Sequence, residues 1–223
     1  EQLKDVFIYG VITMYFISGF HKLNSGFFDI TASCTNYLNA TFNEFLFGPT
    51  FKTPPPLVRI AQFLTILFEM ILPFGLLFQN TRKITIGLFA AFHFYMSLCN
   101  FSNFSALAGF LLCGCLIDFN LNKKSSEPIL KGLRVYIFFV LVSVLLSYAV
   151  TRLGILNKSF VRMYNGIVFN IGWVIFFLVL LKHSANTQRF PKLNLIPVVL
   201  VVGVVLWGVQ PYLGLSNAGN LTM

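Results

Sequence analysis

Charged residues are scarce in this sequence, and acidic residues are the scarcest. The 223 residues include 16 Lys or Arg and 7 Asp or Glu, so that 10% of the chain is charged while 57% is hydrophobic. This leaves too little polar surface to cover a soluble globule of that size. The composition therefore excludes an ordinary soluble domain and indicates an integral membrane protein.

The sequence also lacks the residue spacings of metal and disulfide sites. Its four cysteines form no CxxC pair, and Cys99, Cys113 and Cys115 lie in apolar runs, where a free cysteine is usually a small hydrophobe. The N-terminal region does not have the order of charged, apolar and small residues that marks a signal peptide. We therefore expect no metal ion, and we interpret the first apolar run as a retained span.

Apolar runs of about the length that crosses a bilayer are abundant. A spanning helix needs ~20 mostly apolar residues, and lipid offers the backbone no hydrogen-bond partner outside the helix itself. The predicted fold class is all-α, a polytopic membrane helix bundle of about seven spans. The predicted spans are residues 6–20, 57–78, 84–101, 104–117, 133–150, 167–181 and 195–209.

The basic residues lie in short clusters between these runs, as the flanking charges of membrane helices do. They form no single patch, which argues against a nucleic-acid partner. By the positive-inside tendency, the more basic side is cytoplasmic, which places Lys22 and the C-terminus on the non-cytoplasmic side. The cytoplasmic group is Lys4, Arg82, Lys83, Lys123, Lys124, Lys131, Arg134, Lys182, Arg189 and Lys192, and the opposite group is Lys22, Lys52, Arg59, Arg152, Lys158 and Arg162.

The longest segment between two runs, residues 23–56, is polar but rich in aromatic residues. Apolar residues recur at roughly helical spacing from Phe27 to Phe45, which predicts one helix lying in the membrane interface. The prolines of Thr53–Pro56 predict an extended entry into the second span. The helix either covers a ligand cavity or anchors the chain without a ligand, and composition does not distinguish the two.

Two ionisable residues, Glu69 and His93, lie near the middle of the second and third runs. Each is about twelve residues from the turn at 80–83, so at ~1.5 Å of rise per residue both lie at similar depth. Pro73, one turn after Glu69, predicts a kink. We predict contact between the two side chains, because ionisable groups inside a bilayer normally have a partner. The contact would form either a functional site or a structural hydrogen bond.

Lys22 follows His21 where the first run ends, in "YFISGFHKLNSGFFD". In one interpretation the ammonium group extends to water as an ordinary cation. In the other, the aromatic segment 27–47 covers it, and a desolvated neutral amine is a candidate general base. In that case we expect His21 or Asn24 within hydrogen-bond reach of the amine, near the interface and well above Glu69 and His93.

Four stretches resemble, in order, the HTTM (horizontally transferred transmembrane) domain, the family that includes the vitamin K-dependent gamma-carboxylases. They are "GFHKLNSGFFD...SCTNYL", "FEMILPFGLLF" followed by "TRKITIGLFAAFHFYMSL", "NFSNFSALAGFLL", and "QPYLGLSNAGNLTM". The first and last are the specific ones. From this resemblance we expect residues 1–223 to form a single HTTM-like transmembrane domain, incomplete at both ends.

The resemblance also implies a chemistry. Gamma-carboxylases oxygenate a reduced naphthoquinone, and the strong base that results removes a proton from glutamate before CO2 is added. A lysine in the motif similar to "GFHKLN" deprotonates the quinol, which implies Lys22 as catalytic base, with His21 holding the amine or relaying its proton. His93 is implied as a contact of the quinone or an intermediate, and Glu69 matches an acidic position. The implied cofactor is a vitamin K-like naphthoquinol, and the implied enzyme a quinol-dependent lyase or oxygenase.

A second hypothesis belongs to a different class of protein. A partial HTTM domain with Phe-rich faces also suits a non-catalytic subunit whose helices are covered by the lipid bilayer and by other membrane subunits. The environment of Lys22 distinguishes the two, because a side chain extended into water favours the subunit. A quinone or lipid head group beside the amine favours the enzyme.

Overall fold

A computed structural model describes residues 2–48, 50–116, 123–154, 158–183 and 190–209. These residues form helices and connecting turns without a strand, which confirms the all-α prediction. The helices are α1 (Gln2–His21), α2 (Ser25–Phe28), α3 (Cys34–Phe47), α4 (Pro55–Ile66), α5 (Gln79–Met96), α6 (Ser102–Leu116), α7 (Lys123–Leu153), α8 (Lys158–His183) and α9 (Leu195–Val209). A π-helical turn and a 3₁₀ turn, Leu67–Ile71 and Leu72–Leu76, follow α4, and a second π-helical turn, Ser97–Phe101, follows α5.

The predicted apolar runs are helical where the structure describes them, except at Leu77 and Phe78, which form the turn before α5. Three helical stretches among the described residues are long and apolar enough to cross a membrane: Gln2–His21, Pro55–Leu76 and Glu127–Leu153. Three shorter apolar helices are Phe104–Leu116, Ile167–Lys182 and Leu195–Val209. The number of spans, seven, stays a prediction, and residue 117 at the end of the fourth run lies outside the described residues.

The chain divides into two compact units. Unit 1 takes in residues 1–86 and 188–223, and unit 2 takes in residues 87–187. The prediction of a single domain over residues 1–223 stays a prediction.

Unit 1 is built around α1. This helix packs on α9 and on the π-helical and 3₁₀ turns that follow α4. Glycines allow the close contact with α9, since a Cβ on Gly10 would lie 3.1 Å from Leu200 and one on Gly208 would lie 2.5 Å from Ile17. Position 10 therefore pairs with 200 and position 17 with 208, so α1 and α9 run parallel. Both helices end at the same end of unit 1.

The long apolar helix Pro55–Leu76 is called the second helix here and is distinct from α2. It changes its hydrogen-bonding pattern in the middle. Pro73 has no N–H, and its ring clashes with a regular helical carbonyl four residues earlier, that of Glu69. The helix widens there into the π-helical turn, in which the Leu72 N–H donates to the Leu67 carbonyl, and then tightens into the 3₁₀ turn. The irregularity predicted from Pro73 is thus present, as a change of helix type centred on Glu69.

Arg82 was expected to be a charged residue flanking a membrane helix, but its side chain is buried. The residue is 4% exposed, and its Nε donates to the Leu76 carbonyl at 2.8 Å. Thr81 Oγ1 donates to the Gly75 carbonyl at 2.7 Å. These two side chains satisfy carbonyls that the 3₁₀ turn leaves without helical partners.

The segment after α1 is two helices rather than the single one predicted. Asn24 caps α2 by accepting from the Phe27 N–H at 2.9 Å, and Ser33 caps α3. Between them Asp29 accepts from both the N–H and the hydroxyl of Thr31, at 2.8 and 2.7 Å, which lowers its pKa. Asn, Asp and Ser favour such local bonds over a continuous helix, and this interrupts the predicted periodicity.

Unit 2 contains the long antiparallel pair of α7 and α8. A Cβ on Gly172 would lie 2.5 Å from Phe139, and one on Gly132 would lie 3.1 Å from Val179, so the two helices approach closely at both positions. The core beside them includes Trp173, 1% exposed.

The topology predicted from the basic residues leads to a labelling prediction. In a cysteine-free background, cysteines placed at Ser25 and at Lys124 should react with an impermeant maleimide from opposite sides of the membrane. The non-cytoplasmic side should label position 25, because Lys22 is predicted to lie there. Labelling of both positions from one side would overturn the predicted topology.

Candidate functional site

The amine of Lys22 forms a buried ion pair with Glu69 in unit 1. Nζ of Lys22 lies 2.7 Å from Oε2 of Glu69, and each side chain is 9% exposed. Ser18, one turn before Lys22 on α1, contacts both partners. Its hydroxyl accepts from Nζ at 2.9 Å and donates to Oε2 at 3.2 Å.

The Glu69 carboxylate projects from the π-helical turn, and this turn packs closely on α1. Gly19 lies against the π-helical turn, where a Cβ on it would be 3.0 Å from Glu69 Cβ and 2.5 Å from Met70 Cγ. The absence of a side chain at Gly19 therefore lets α1 approach the turn that holds Glu69. Single π-helical turns within α-helices are frequent at functional sites.

The pair shows that Lys22 and Glu69 lie at the same level, so the prediction that Lys22 lies well above Glu69 is wrong. The second helix runs antiparallel to α1, since Phe74 packs on Phe16 with ring centroids 5.8 Å apart. At ~1.5 Å per residue, the fourteen or so residues from Pro55 to Glu69 extend ~20 Å beyond the pair. The end of α1 thus lies beside the interior of the neighbouring helix and not beside either of its ends.

The segment formed by α2 and α3 lies beside this extension of the second helix. Phe27 is buried, its carbonyl accepts from Gln62 Nε2 at 2.7 Å, and Phe28 packs on Phe63 with ring centroids 5.9 Å apart. The pKa of the Cys34 thiol is raised mainly by burial, with opposing electrostatic effects of Lys22 and Glu69. The Lys22 amine is buried rather than extended into water. Its role as a neutral general base stays a prediction.

Asn24 and His21 are the two other polar residues that were predicted to lie near the Lys22 amine. Asn24 donates from Nδ2 to the His21 carbonyl at 2.5 Å and caps α2 through its oxygen. His21 is itself buried, 6% exposed. The hydrogen bonds of the amine go to Ser18 and Glu69, so Asn24 acts on the local backbone. The catalytic role predicted for His21 stays a prediction.

His93 lies in unit 2. Its ring is fully buried and lies beside Phe104 and Trp173, with ring centroids 5.4 and 6.3 Å away, and its carbonyl accepts from the Ser105 hydroxyl at 2.8 Å. The predicted contact with Glu69 would join the two units, and it stays a prediction. Its proposed contact with a quinone or intermediate also stays one.

Sequence reasoning missed two residues of this region, Ser18 and Gln62. Ser18 was detectable from its spacing, because it precedes Lys22 by four residues, which places the two on one face at the end of a helix. Gln62 precedes Glu69 by seven residues, about two turns of the same helix. A polar residue repeated at that interval in an apolar run is a signal for a shared polar face.

The residues around the pair fall within the part of the chain that a known domain covers. Residues 4–106 match the HTTM domain. The resemblance found in the sequence is confirmed for this part of the chain, which contains Lys22, Glu69 and His93. HTTM is a transmembrane domain, and the match suggests a membrane, gamma-carboxylase-like family. No curated protein and no solved structure matches the chain.

Chemically, the Lys22–Glu69 pair is a proton donor and acceptor shielded from water. Removing either partner would leave an uncompensated buried charge, whereas together they are satisfied. A buried lysine–carboxylate pair can also become neutral by moving one proton across its hydrogen bond. Such a pair suits a site that exchanges protons with a ligand inside the membrane.

Proposed function

We propose that this protein is a membrane-embedded, gamma-carboxylase-like enzyme that acts on a reduced naphthoquinone, with Lys22 as general base. The observation that carries the proposal is the burial of the Lys22 amine against Glu69, 2.7 Å away, within the HTTM-matched segment. An amine extended into water would have supported the non-catalytic subunit instead.

The polar groups of the pair are suited to a quinol. A quinol hydroxyl both donates and accepts hydrogen bonds, and the pair provides an amine with a carboxylate beside it. About two turns along the same helix, aromatic residues are present, since Gln62 contacts Phe27 and Phe63 packs on Phe28. When bound, the quinol supplies the oxidisable group that reacts with oxygen.

Lys22 and Glu69 can accept a proton without creating an isolated negative charge. In the first step a proton moves from Nζ to Glu69 Oε2, leaving a neutral amine and a neutral acid. The amine then takes a proton from a bound hydroxyl group and becomes an ammonium, while Glu69 keeps its proton. The pair carries one positive charge at the end, which balances the charge left on the ligand. Ser18 holds both partners in line through its hydroxyl.

We also propose that lipid covers the apolar faces of the helices. On α7, large side chains spaced three or four residues apart are exposed: Phe138, Leu141, Leu145 and Tyr148. This is the pattern of a lipid-facing helix side. Other membrane subunits as partners remain the alternative, in which the same faces meet protein and Lys22 has no catalytic role.

The test is quinol-dependent oxygen uptake by the purified full chain in lipid nanodiscs. Removing a positioned general base typically costs 10²–10⁴-fold in rate. We therefore expect Lys22→Ala to reduce uptake at least ~100-fold, and Lys22→Arg to fail as well because guanidinium stays protonated. Lys52→Ala, at an exposed lysine before α4, is the matched control and should retain uptake.

Equal rates in the wild type and in both Lys22 variants would remove Lys22 as a base. No uptake by the wild type, alone or in any complex that contains it, would leave the subunit hypothesis as the better one.

A further inference from the structure

Gln62 has a buried amide oxygen that accepts no hydrogen bond within the part of the chain that the structure describes. The side chain is 0% exposed, its Nε2 donates to the Phe27 carbonyl at 2.7 Å, and its Oε1 accepts no hydrogen bond from the described residues. The opposite orientation of the amide would place two acceptors against each other at Phe27. The nitrogen therefore faces Phe27, and an acceptor remains available in an otherwise apolar position.

This acceptor and the Lys22–Glu69 pair lie along the same stretch of chain. Gln62 and Glu69 are about two turns apart on the second helix, or ~10 Å along its axis. Glu69 contacts Lys22, and Gln62 contacts Phe27, five residues further along. Both polar residues therefore face the chain that leaves the end of α1.

The apolar environment of Gln62 favours a ligand group that donates a hydrogen bond to its amide oxygen. Val58, one turn earlier, is fully buried, and Phe27 is buried as well. Phe63, the next residue in the helix, packs its ring against Phe28. An acceptor without a partner in such a position is costly, so a ligand that donates a hydrogen bond gains affinity over one that does not.

We propose that Gln62 is a specificity-determining residue whose Oε1 accepts a hydrogen bond from a ligand hydroxyl, at a subsite separate from the Lys22 amine. In a quinol the second hydroxyl would occupy it, so the protein binds the reduced ligand in preference to the oxidised quinone, which has no hydroxyl to donate. This inference rests on the proposed function for the identity of the ligand.

The test compares 1,4-naphthoquinol with 1,4-naphthoquinone by anaerobic equilibrium dialysis against the full chain in nanodiscs. The wild type should bind the quinol more tightly. Gln62→Met, which has a similar shape but no amide oxygen, should reduce that preference roughly fivefold, as expected for one hydrogen bond. Gln62→Glu should retain it, because a neutral acid can donate to the Phe27 carbonyl and still present a carbonyl oxygen.

Phe63→Leu is the control for loosened packing of α2, because it reduces the contact with Phe28 but leaves the amide in place. It should weaken both ligands equally. An unchanged quinol preference in Gln62→Met would overturn the role of Gln62, as would equal losses for both ligands, the result expected if Oε1 binds only water.

Failure of this inference and failure of the proposed function are distinguishable. If Gln62→Met keeps the quinol preference while Lys22→Ala abolishes oxygen uptake, only the Gln62 subsite is wrong. If the wild type binds neither ligand, both are wrong. If the preference depends on Gln62 but uptake does not depend on Lys22, the subsite stands and the proposed catalysis does not.

Discussion

Replacing Glu69 by Gln should lower the free energy of unfolding by about 3–5 kcal/mol, because it leaves the Lys22 ammonium buried without a counter-charge. Lys22→Met should cost a similar amount by isolating the carboxylate. The double variant Lys22→Met/Glu69→Leu should recover most of the loss, since neither charge then remains buried. SDS-induced unfolding in micelles, followed by circular dichroism, measures all three.

The chain offers a matched exposed pair as the control. Lys131 and Glu127 on α7 lie 3.0 Å apart with side chains 69% and 64% exposed. Such pairs contribute about 0.3–0.5 kcal/mol, so Glu127→Gln should have little effect. A loss for Glu69→Gln as small as that for Glu127→Gln would contradict a closed ion pair at Lys22, as would a double variant whose losses simply add.

Much of the fold was predictable because hydrophobic patterns report directly on helices in lipid. The apolar runs, the irregularity at Pro73 and the aromatic segment after α1 all follow from local chemistry. The single interfacial helix was wrong because the Asn24, Asp29 and Ser33 side chains bond to the backbone and divide it. The helical spacing of apolar residues over 27–45 gives no information about such competing hydrogen bonds.

The candidate site was predictable residue by residue but not as a pair. Lys22 and Glu69 were each singled out, yet Lys22 was placed at the interface because a charge ends an apolar run. That argument assumes that neighbouring helices begin and end at the same level. Here the second helix continues ~20 Å beyond the pair, and α2 and α3 cover the end of α1. How far one helix is shifted along its neighbour depends on tertiary contacts, such as the one at Gly19. The spacing of residues along the chain does not report such contacts.

Adding a side chain at Gly19 should separate the two helices at the ion pair. A Cβ there would lie 2.5 Å from Met70 Cγ and 3.2 Å from the Met70 backbone nitrogen. The Met70 side chain is flexible and can move, so Gly19→Ala should have a modest effect. Gly19→Val adds atoms toward the backbone itself, and overpacking of this kind costs about 1–3 kcal/mol.

Gly203→Ala on α9 is the control, because position 203 is exposed and a Cβ there meets nothing within 4 Å. It should be neutral or stabilise by up to ~1 kcal/mol, the general gain from replacing a helical glycine by alanine. Met70→Ala should relieve the contact made by Gly19→Ala, so the double variant should lose less stability than the sum of the two single changes.

Gly19→Val should also reduce quinol-dependent uptake, because Lys22 and Glu69 are held together only while α1 approaches the π-helical turn. Wild-type stability in Gly19→Val would mean that α1 does not approach the second helix closely at this position.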